Sequence, residues 1–212
     1  MTYSSFEGTI VRPDWDESFM LDAIKAATRS SCLKRAVGAA LVKDNATIAT
    51  GYAGAARGQE NCLELEYCHY DKLAWEDHKK GIQEFELLRE QYKSFCIAVH
   101  AESNAVGHIS RLGGQGIKGA VLYITNFPCP KCVQDIVVTN DIAEVVFWRD
   151  YLCNPLLTLD EKRASEAALK RAKIPWRQVL ISNERIFEVA KLMIMVGKRT
   201  NYKFSCLSRQ IF

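Results

Sequence analysis

No stretch of the chain approaches the roughly 18 consecutive apolar residues of a membrane-spanning helix, so no membrane partner is expected. The first residues, Met1 to Glu7, lack the basic-then-apolar pattern of an export signal, and the expected location is the reducing cytoplasm. Glycine and proline are sparse, at 12 and 5 among 212 residues, which excludes collagen-like and low-complexity architectures. Charge of one sign is scarce too: 28 Lys and Arg against 25 Asp and Glu leave a formal +3. Such a balance supplies no dedicated arm for nucleic acid, so no stable nucleic-acid partner is expected, yet it tolerates an anionic small substrate. Repeats of solenoid or propeller period and long polar linkers are absent. With 48% hydrophobic residues, the chain has material for one good core.

Cysteine is the residue present in excess. Eight occur, at 32, 62, 68, 96, 129, 132, 153 and 206. An even count would point to disulfides in a secreted mini-protein. A chain of this length in a reducing compartment uses them as metal ligands or buried thiols.

Helical spacing of Phe19, Ala23, Ile24 and Ala27 predicts an amphipathic helix beginning near Asp14. Two short strands, Val37 to Val42 and Thr47 to Tyr52, flank the turn chemistry of Lys43-Asp44-Asn45 and form a hairpin. Between Glu60 and Phe95 the pattern turns polar, aromatic and charged, an insertion with its own helix over Ile82 to Tyr92. The second half alternates: strand Ala120 to Thr125, helix Cys132 to Thr139, strand Glu144 to Trp148, helix Leu159 to Lys173, strand Gln178 to Ile181. That order implies parallel pairing with crossover helices, hence a three-layer α/β domain. The domain is expected over residues 14–182 with the insertion at about 60–95, followed by a tail, 183–212, that is helical where Ile186, Val189, Ala190 and Met193 recur. The run Gly113-Gly114-Gln115-Gly116 is read as a loop, because no Lys-Ser/Thr follows to make it a phosphate cradle.

Chemistry concentrates in His100-Ala101-Glu102 and Pro128-Cys129-Pro130-Lys131-Cys132. A Cys-x-x-Cys pair alone admits redox, metal and accidental readings. Redox leaves His100 unexplained, and a zinc ribbon would want a second such pair. Cys129 and Cys132, three apart, share one face of a first helical turn, and Pro128 and Pro130 suit a helix start. His100 and Glu102, two apart, diverge within a regular helix, so His100 is expected at or before the cap with Glu102 in the first turn. Three N/S ligands leave a tetrahedral cation one position for water, and the positive helix end favours the two thiolates.

His-x-Glu followed by Pro-Cys-x-x-Cys is also the signature of zinc nucleobase deaminases. The chain resembles the cytidine deaminase-like superfamily, and within it the deoxycytidylate (dCMP) deaminases. The resemblance extends to Arg29-Ser30-Ser31-Cys32, Val37 to Asp44, Thr50-Gly51-Tyr52 through Gly58, Asn61-Cys62, Cys96, His100 to Ala105, Phe127 to Cys132 and Glu144 to Tyr151. It implies a three-layer α/β/α fold with a central mixed sheet of about five strands. It also implies one catalytic Zn²⁺ on His100, Cys129 and Cys132, with Glu102 as the catalytic acid and base that is not itself a ligand. The expected reaction is hydrolysis of dCMP to dUMP and ammonia.

Arg57 is a candidate phosphate clamp, against the reading of a solvated loop charge. Ala101 and Tyr151 are candidate substrate contacts, with Tyr151 walling the base or standing as a surface tyrosine. Relatives in this family can carry a second, structural Zn²⁺, for which Cys32, Cys62, Cys68, Cys96, His69 and His78 are the nearby donors. Homo-oligomers are expected, and dCTP and dTTP are candidate allosteric effectors. The family usually has Gly-Tyr-Asn-Gly where this chain has Gly51-Tyr52-Ala53-Gly54, and often an arginine where it has Ala98. These departures leave three alternatives open: another small aminopyrimidine or purine as substrate, a nucleic-acid editing deaminase, and a catalytically dead zinc-binding module.

Overall fold

Asp14 opens the first long helix with a capping box: its carboxylate accepts from the Glu17 amide at 2.8 Å while Glu17 reaches back to the Asp14 amide at 3.1 Å. The computed structural model describes residues 10–113, 116–150, 159–195 and 204–205. Strand β1 (Ile10–Val11) precedes helix α1 (Trp15–Ala27), which buries Phe19, Met20 and Ala23. Next come β2 (Gly38–Lys43) and β3 (Ala46–Tyr52), paired antiparallel. Asp44 and Asn45 join them at positive φ, 51° and 57°, the backbone a two-residue hairpin turn demands.

Short β4 (Gly54–Ala55) leads to three helices, α2 (Cys62–Leu65), α3 (His69–Lys79) and α4 (Phe85–Gln91), and a 3₁₀ turn over Tyr92–Phe95. Strand β5 (Ala98–Val99) returns to pair with β4 and delivers the chain to α5 (Ala101–Leu112). The helix expected over Ile82 to Tyr92 begins later, because Glu84 is its N-cap and Gly81 sits at a φ of +74°.

Beyond α5 come β6 (Val121–Asn126), α6 (Pro130–Cys132), a π-helical run over Val133–Val138, β7 (Glu144–Arg149), α7 (Leu159–Ala172), β8 (Trp176–Gln178), α8 (Asn183–Met195) and β9 (Phe204–Ser205). The regular helix expected from Cys132 is instead one α turn and a wide one. Thr139 Oγ1 and Asn140 Nδ2 donate to the Asp135 and Ile136 carbonyls there, at 2.5 and 2.8 Å. The last sheet strand starts two residues before its expected position, since the Pro175 carbonyl already accepts from Val145 at 3.0 Å.

The five-stranded sheet runs β3-β2-β6-β7-β8. Pairs β3/β2 and β2/β6 are antiparallel, whereas β6/β7 and β7/β8 are parallel, so the sheet is mixed. Side chains alternate across it with period two. Ala39, Leu41, Leu122, Ile124, Val145 and Phe147 join the cluster on the face of α5 and α7, while Ala40, Val42, Tyr123 and Val146 join that of α1. Helices thus cover both faces in three layers. A separate two-residue pairing joins β1 and β9 in parallel. Among the described residues no helix is long and apolar enough to cross a membrane.

Two glycines set the layer spacing. A Cβ at Gly38 would lie 2.0 Å from the Ala23 carbonyl of α1, and one at Gly51 would lie 2.2 Å from the Ala101 carbonyl of α5. Both obstacles are backbone, so neither can swing aside. Gly51→Ala is expected to lower folding stability by about 2–3 kcal/mol, the cost of overpacking a rigid contact, as read by urea unfolding.

Candidate metal centre and substrate cavity

His100 is the N-cap of α5, with φ −69° and ψ 153°, and Cys129 is the N-cap of α6, with φ −72° and ψ 162°. Extended backbone at both caps turns the two side chains off their helix ends. Pro130 follows as the first helical residue, where its missing N–H costs nothing. Cys132 sits one turn on and points the same way. The Cys132 and Cys129 sulfurs lie 3.2 and 3.6 Å from His100 Nδ1. These three ligand atoms fall within 4.8 Å of one another, and among the described residues they alone form such a group. Its Cys129 corner follows the carboxyl end of β6, the usual place for a site in an open α/β sheet.

The donor set fits a cation by its own chemistry. The Cys132 hydrogen bond and His100 push the Cys129 thiol down to about 4, and Cys129 together with burial pushes Cys132 up. Hydrogen bonding to Cys129 raises the His100 pKa against the effect of burial, while the Arg35 guanidinium opposes protonation. A dication would favour two thiolates and a neutral imidazole, the donor state zinc takes.

Glu102 lies in the first turn of α5, only 3% exposed. Burial pushes its carboxyl above the ordinary range, opposed by His100. A cavity of about 260 Å³ opens over this group, and its lining includes Ala53, His100, Ala101, Glu102, Asn126 and Cys129. His100 is exposed by accessible surface because its ring faces this opening, although protein crowds it elsewhere.

The other residues singled out from the sequence fall differently. Ala101 is buried and lines the cavity. Arg57 is exposed and does not line it, and Tyr151 lies outside the described residues. Cys32, Cys62, Cys68 and Cys96 line the far wall, where burial pushes the Cys68 and Cys96 thiols up. His69 and His78 are not on that wall, and His78 Nδ1 instead lies 3.0 Å from the Gln83 carbonyl. Sequence reasoning did not single out Arg35, Asn126 and Phe127 as cavity residues, although Phe127 opens a quoted motif, Asn126 directly precedes it and Arg35 lies between two others.

The sequence model described as "Cytidine and deoxycytidylate deaminase zinc-binding region" matches residues 13–149. The deoxycytidylate deaminase of Mycobacterium phage D29 is 35% identical over 139 residues, covering 66% of this chain and 98% of that protein. The chain belongs to the cytidine and deoxycytidylate deaminase family. Another member, the deoxycytidylate deaminase of Saccharomyces cerevisiae, is 33% identical over 82% of this chain, which spans about half (48%) of the yeast protein's length. The dCMP deaminase of cyanophage S-TIM5, solved with dCMP and dUMP, shares the deaminase fold at a TM-score of 0.56. That match is 20% identical and covers 79% of this chain and 98% of the phage chain.

The family's zinc-binding region thus contains the His100, Cys129 and Cys132 cluster. Cys129→Ser and Cys132→Ser are each expected to lose most of the zinc bound at this centre while the fold persists. Metal content by mass spectrometry beside far-UV circular dichroism checks this, and full retention of zinc in either variant would contradict it.

Proposed function

We propose that the chain hydrolyses dCMP to dUMP and ammonia, with His100, Cys129 and Cys132 as zinc ligands and Glu102 as the catalytic acid and base. One observation carries the reading: a buried carboxyl with a raised pKa stands in the cavity floor beside a three-ligand cluster without belonging to it. A structural metal site has no use for such an acid. The names of the phage and yeast relatives support the substrate.

Zinc, when bound, supplies the Lewis acidity that makes water a nucleophile near neutral pH. Glu102 takes a proton from the attacking water and delivers it to the N3 position of the cytosine ring. It then carries a proton to the C4 amine, which leaves as ammonia. Water adds its oxygen at C4, so the products are uracil and NH₃ with no net proton change beyond ammonia's own. Burial raises the Glu102 pKa above the ordinary carboxylate range, a shift in the direction that suits a group that takes up and returns a proton. Ala101 walls the ring beside it, and Tyr151 is a further proposed contact.

The same reading takes the protein as a cytoplasmic homo-oligomer with dCTP and dTTP as effectors, on the strength of the family resemblance. One feature favours a second substrate class. Ala53 presents a methyl group to the cavity where the family places an amide, which suits another small aminopyrimidine or purine. Ammonia release from dCMP, CMP, deoxycytidine and dCTP, with and without dTTP, separates these substrates.

Glu102→Gln is expected to cut turnover of dCMP by about 10³-fold or more while zinc content stays at the wild-type value. Near-wild-type turnover in that variant would remove Glu102 from the chemistry.

A second, structural zinc on Cys32, Cys62, Cys68 and Cys96 belongs to this proposal. The four thiols line the same cavity and Cys96 feels the charge of both Cys32 and Cys62, but their sulfurs do not stand as close together as the ligand atoms of His100, Cys129 and Cys132, so a second ion would have to draw them in. Metal analysis is expected to find two zinc ions per chain, falling to one in Cys68→Ser. One zinc in the wild-type protein would end this part of the reading.

A further inference from the structure

Among the described residues that line the cavity, Asn126 is the one carboxamide. It closes β6, just ahead of the Phe127-Pro128-Cys129 run that leads to the metal cluster. Thr125 before it is buried, and the proposed chemistry makes no use of its hydroxyl. That hydroxyl oxygen accepts from the Gly38 amide at 3.1 Å and lies 3.1 Å from Asn126 Oδ1. An N–H can only donate, which fixes the direction of the first bond. The hydroxyl proton then needs an acceptor, and Asn126 Oδ1 supplies it. The carboxamide is thereby held one way round. Its Nδ2 hydrogens are what remain for the cavity, and no described residue accepts from them.

One peptide unit ties this relay to the next piece of the cavity lining. The Val37 carbonyl accepts from the Ala53 amide at 2.9 Å, so the Val37–Gly38 peptide holds Ala53 through its oxygen and Thr125 through its nitrogen. Ala53 brings only a methyl group to the cavity, and its carbonyl is taken by the Ser30 hydroxyl at 2.7 Å and the Ser31 amide at 3.1 Å. Asn126 therefore supplies the donor that Ala53 lacks. A neutral donor with a fixed direction selects a neutral acceptor, and few such groups orient a ligand in a largely apolar pocket. The nucleoside part of a cytosine nucleotide carries acceptors of that kind in its ring carbonyl and its sugar hydroxyl.

We propose that Asn126 Nδ2 donates a hydrogen bond to an oxygen of the nucleoside part of the substrate, and that Thr125 is the positioning residue that keeps this donor turned to the cavity. The inference rests on the dCMP reading above and adds to it a residue that orients the nucleoside without touching the metal.

The test is kcat and KM for dCMP, deoxycytidine and 2′,3′-dideoxycytidine 5′-monophosphate in the zinc-loaded full chain. Wild type is compared with Asn126→Ala, Asn126→Asp, Thr125→Val, Thr125→Ser and the double variant Thr125→Val/Asn126→Ala. Asn126→Ala is expected to lower kcat/KM on the order of 10-fold, on dCMP and deoxycytidine alike, with zinc content at the wild-type value. Asn126→Asp keeps the shape but loses the donor, so its loss is at least as large, and it reports even where Thr125→Val does not fold. Thr125→Val is expected to show part of the loss, Thr125→Ser to restore the wild-type constants, and the double variant to lose no more than Asn126→Ala alone. A loss that persists on the dideoxy substrate assigns the bond to the ring carbonyl, and one that vanishes there assigns it to the sugar hydroxyl. Wild-type constants in both Asn126 variants, or a loss confined to dCMP, overturn the Asn126 contact. Additive losses in the double variant overturn the positioning role of Thr125. Wild-type protein that turns over neither dCMP nor deoxycytidine overturns the dCMP reading and this inference together, whereas turnover indifferent to Asn126 overturns this inference alone.

Discussion

The closest approach in the molecule relevant to the site is that of β3 to α5, and the metal centre depends on it. Gly51 leaves no side chain between the strand and the Ala101 carbonyl, and Ala105 meets the same spot one turn later. Two side chains of α5 then fasten the contact: Asn104 Nδ2 donates to the Tyr52 carbonyl at 2.8 Å, and His108 Nδ1 lies 2.6 Å from the Thr50 carbonyl. A helix held this way has a fixed rotation about its axis. Its N-cap, His100, therefore faces the cavity, and Glu102 is buried against the floor instead of swinging into solvent. Preorganisation at this level is what the proposed role of Glu102 as a proton carrier requires.

The thiolate half of the centre is fixed from the other side of the cavity. Phe127 stands edge-on to Phe147 with centroids 4.9 Å apart, and its amide donates to the Arg149 carbonyl at 3.0 Å. Ser165 of α7, fully buried, donates to the Pro128 carbonyl at 3.0 Å. The Phe127 amide and the Pro128 carbonyl of the loop between β6 and α6 are thus both held before Cys129 is reached. Rigid elements on both sides explain how two segments 29 residues apart meet at 3.6 Å.

Much of this was legible in the sequence because it obeys local periodicity. Alternation along Ala39, Ala40, Leu41 and Val42 and along Val145, Val146 and Phe147 announces strands buried on both faces. The two prolines and the spacing of Cys129 and Cys132 announce a helix start. What escaped the sequence depends on tertiary packing. The π-helical run has no residue signature, since Val133 and Val137 would serve an α-helix equally well, and only the side-chain bonds of Thr139 and Asn140 betray the widened turn. Arg35 carries no periodic signal either. Its place on the cavity wall appears only in the folded chain, as do the partners of Lys34 and Lys93.

Those partners make the excursion from α2 to α4 part of the site's electrostatics. Asp71 at the start of α3 accepts from Lys34 at 2.7 Å and from Arg89 of α4 at 2.9 Å. Burial would raise the Asp71 carboxyl, but the two cations outweigh it and hold the group below its ordinary value. A depressed carboxylate contributes stability above its unfolded pKa and loses it as pH falls through the folded value, so this link is intact at neutral pH and fails in acid. While it holds, Lys34 is spent on the fold, and the insertion docks its helices on the loop before β2 through the one carboxylate that meets both Lys34 and Arg89.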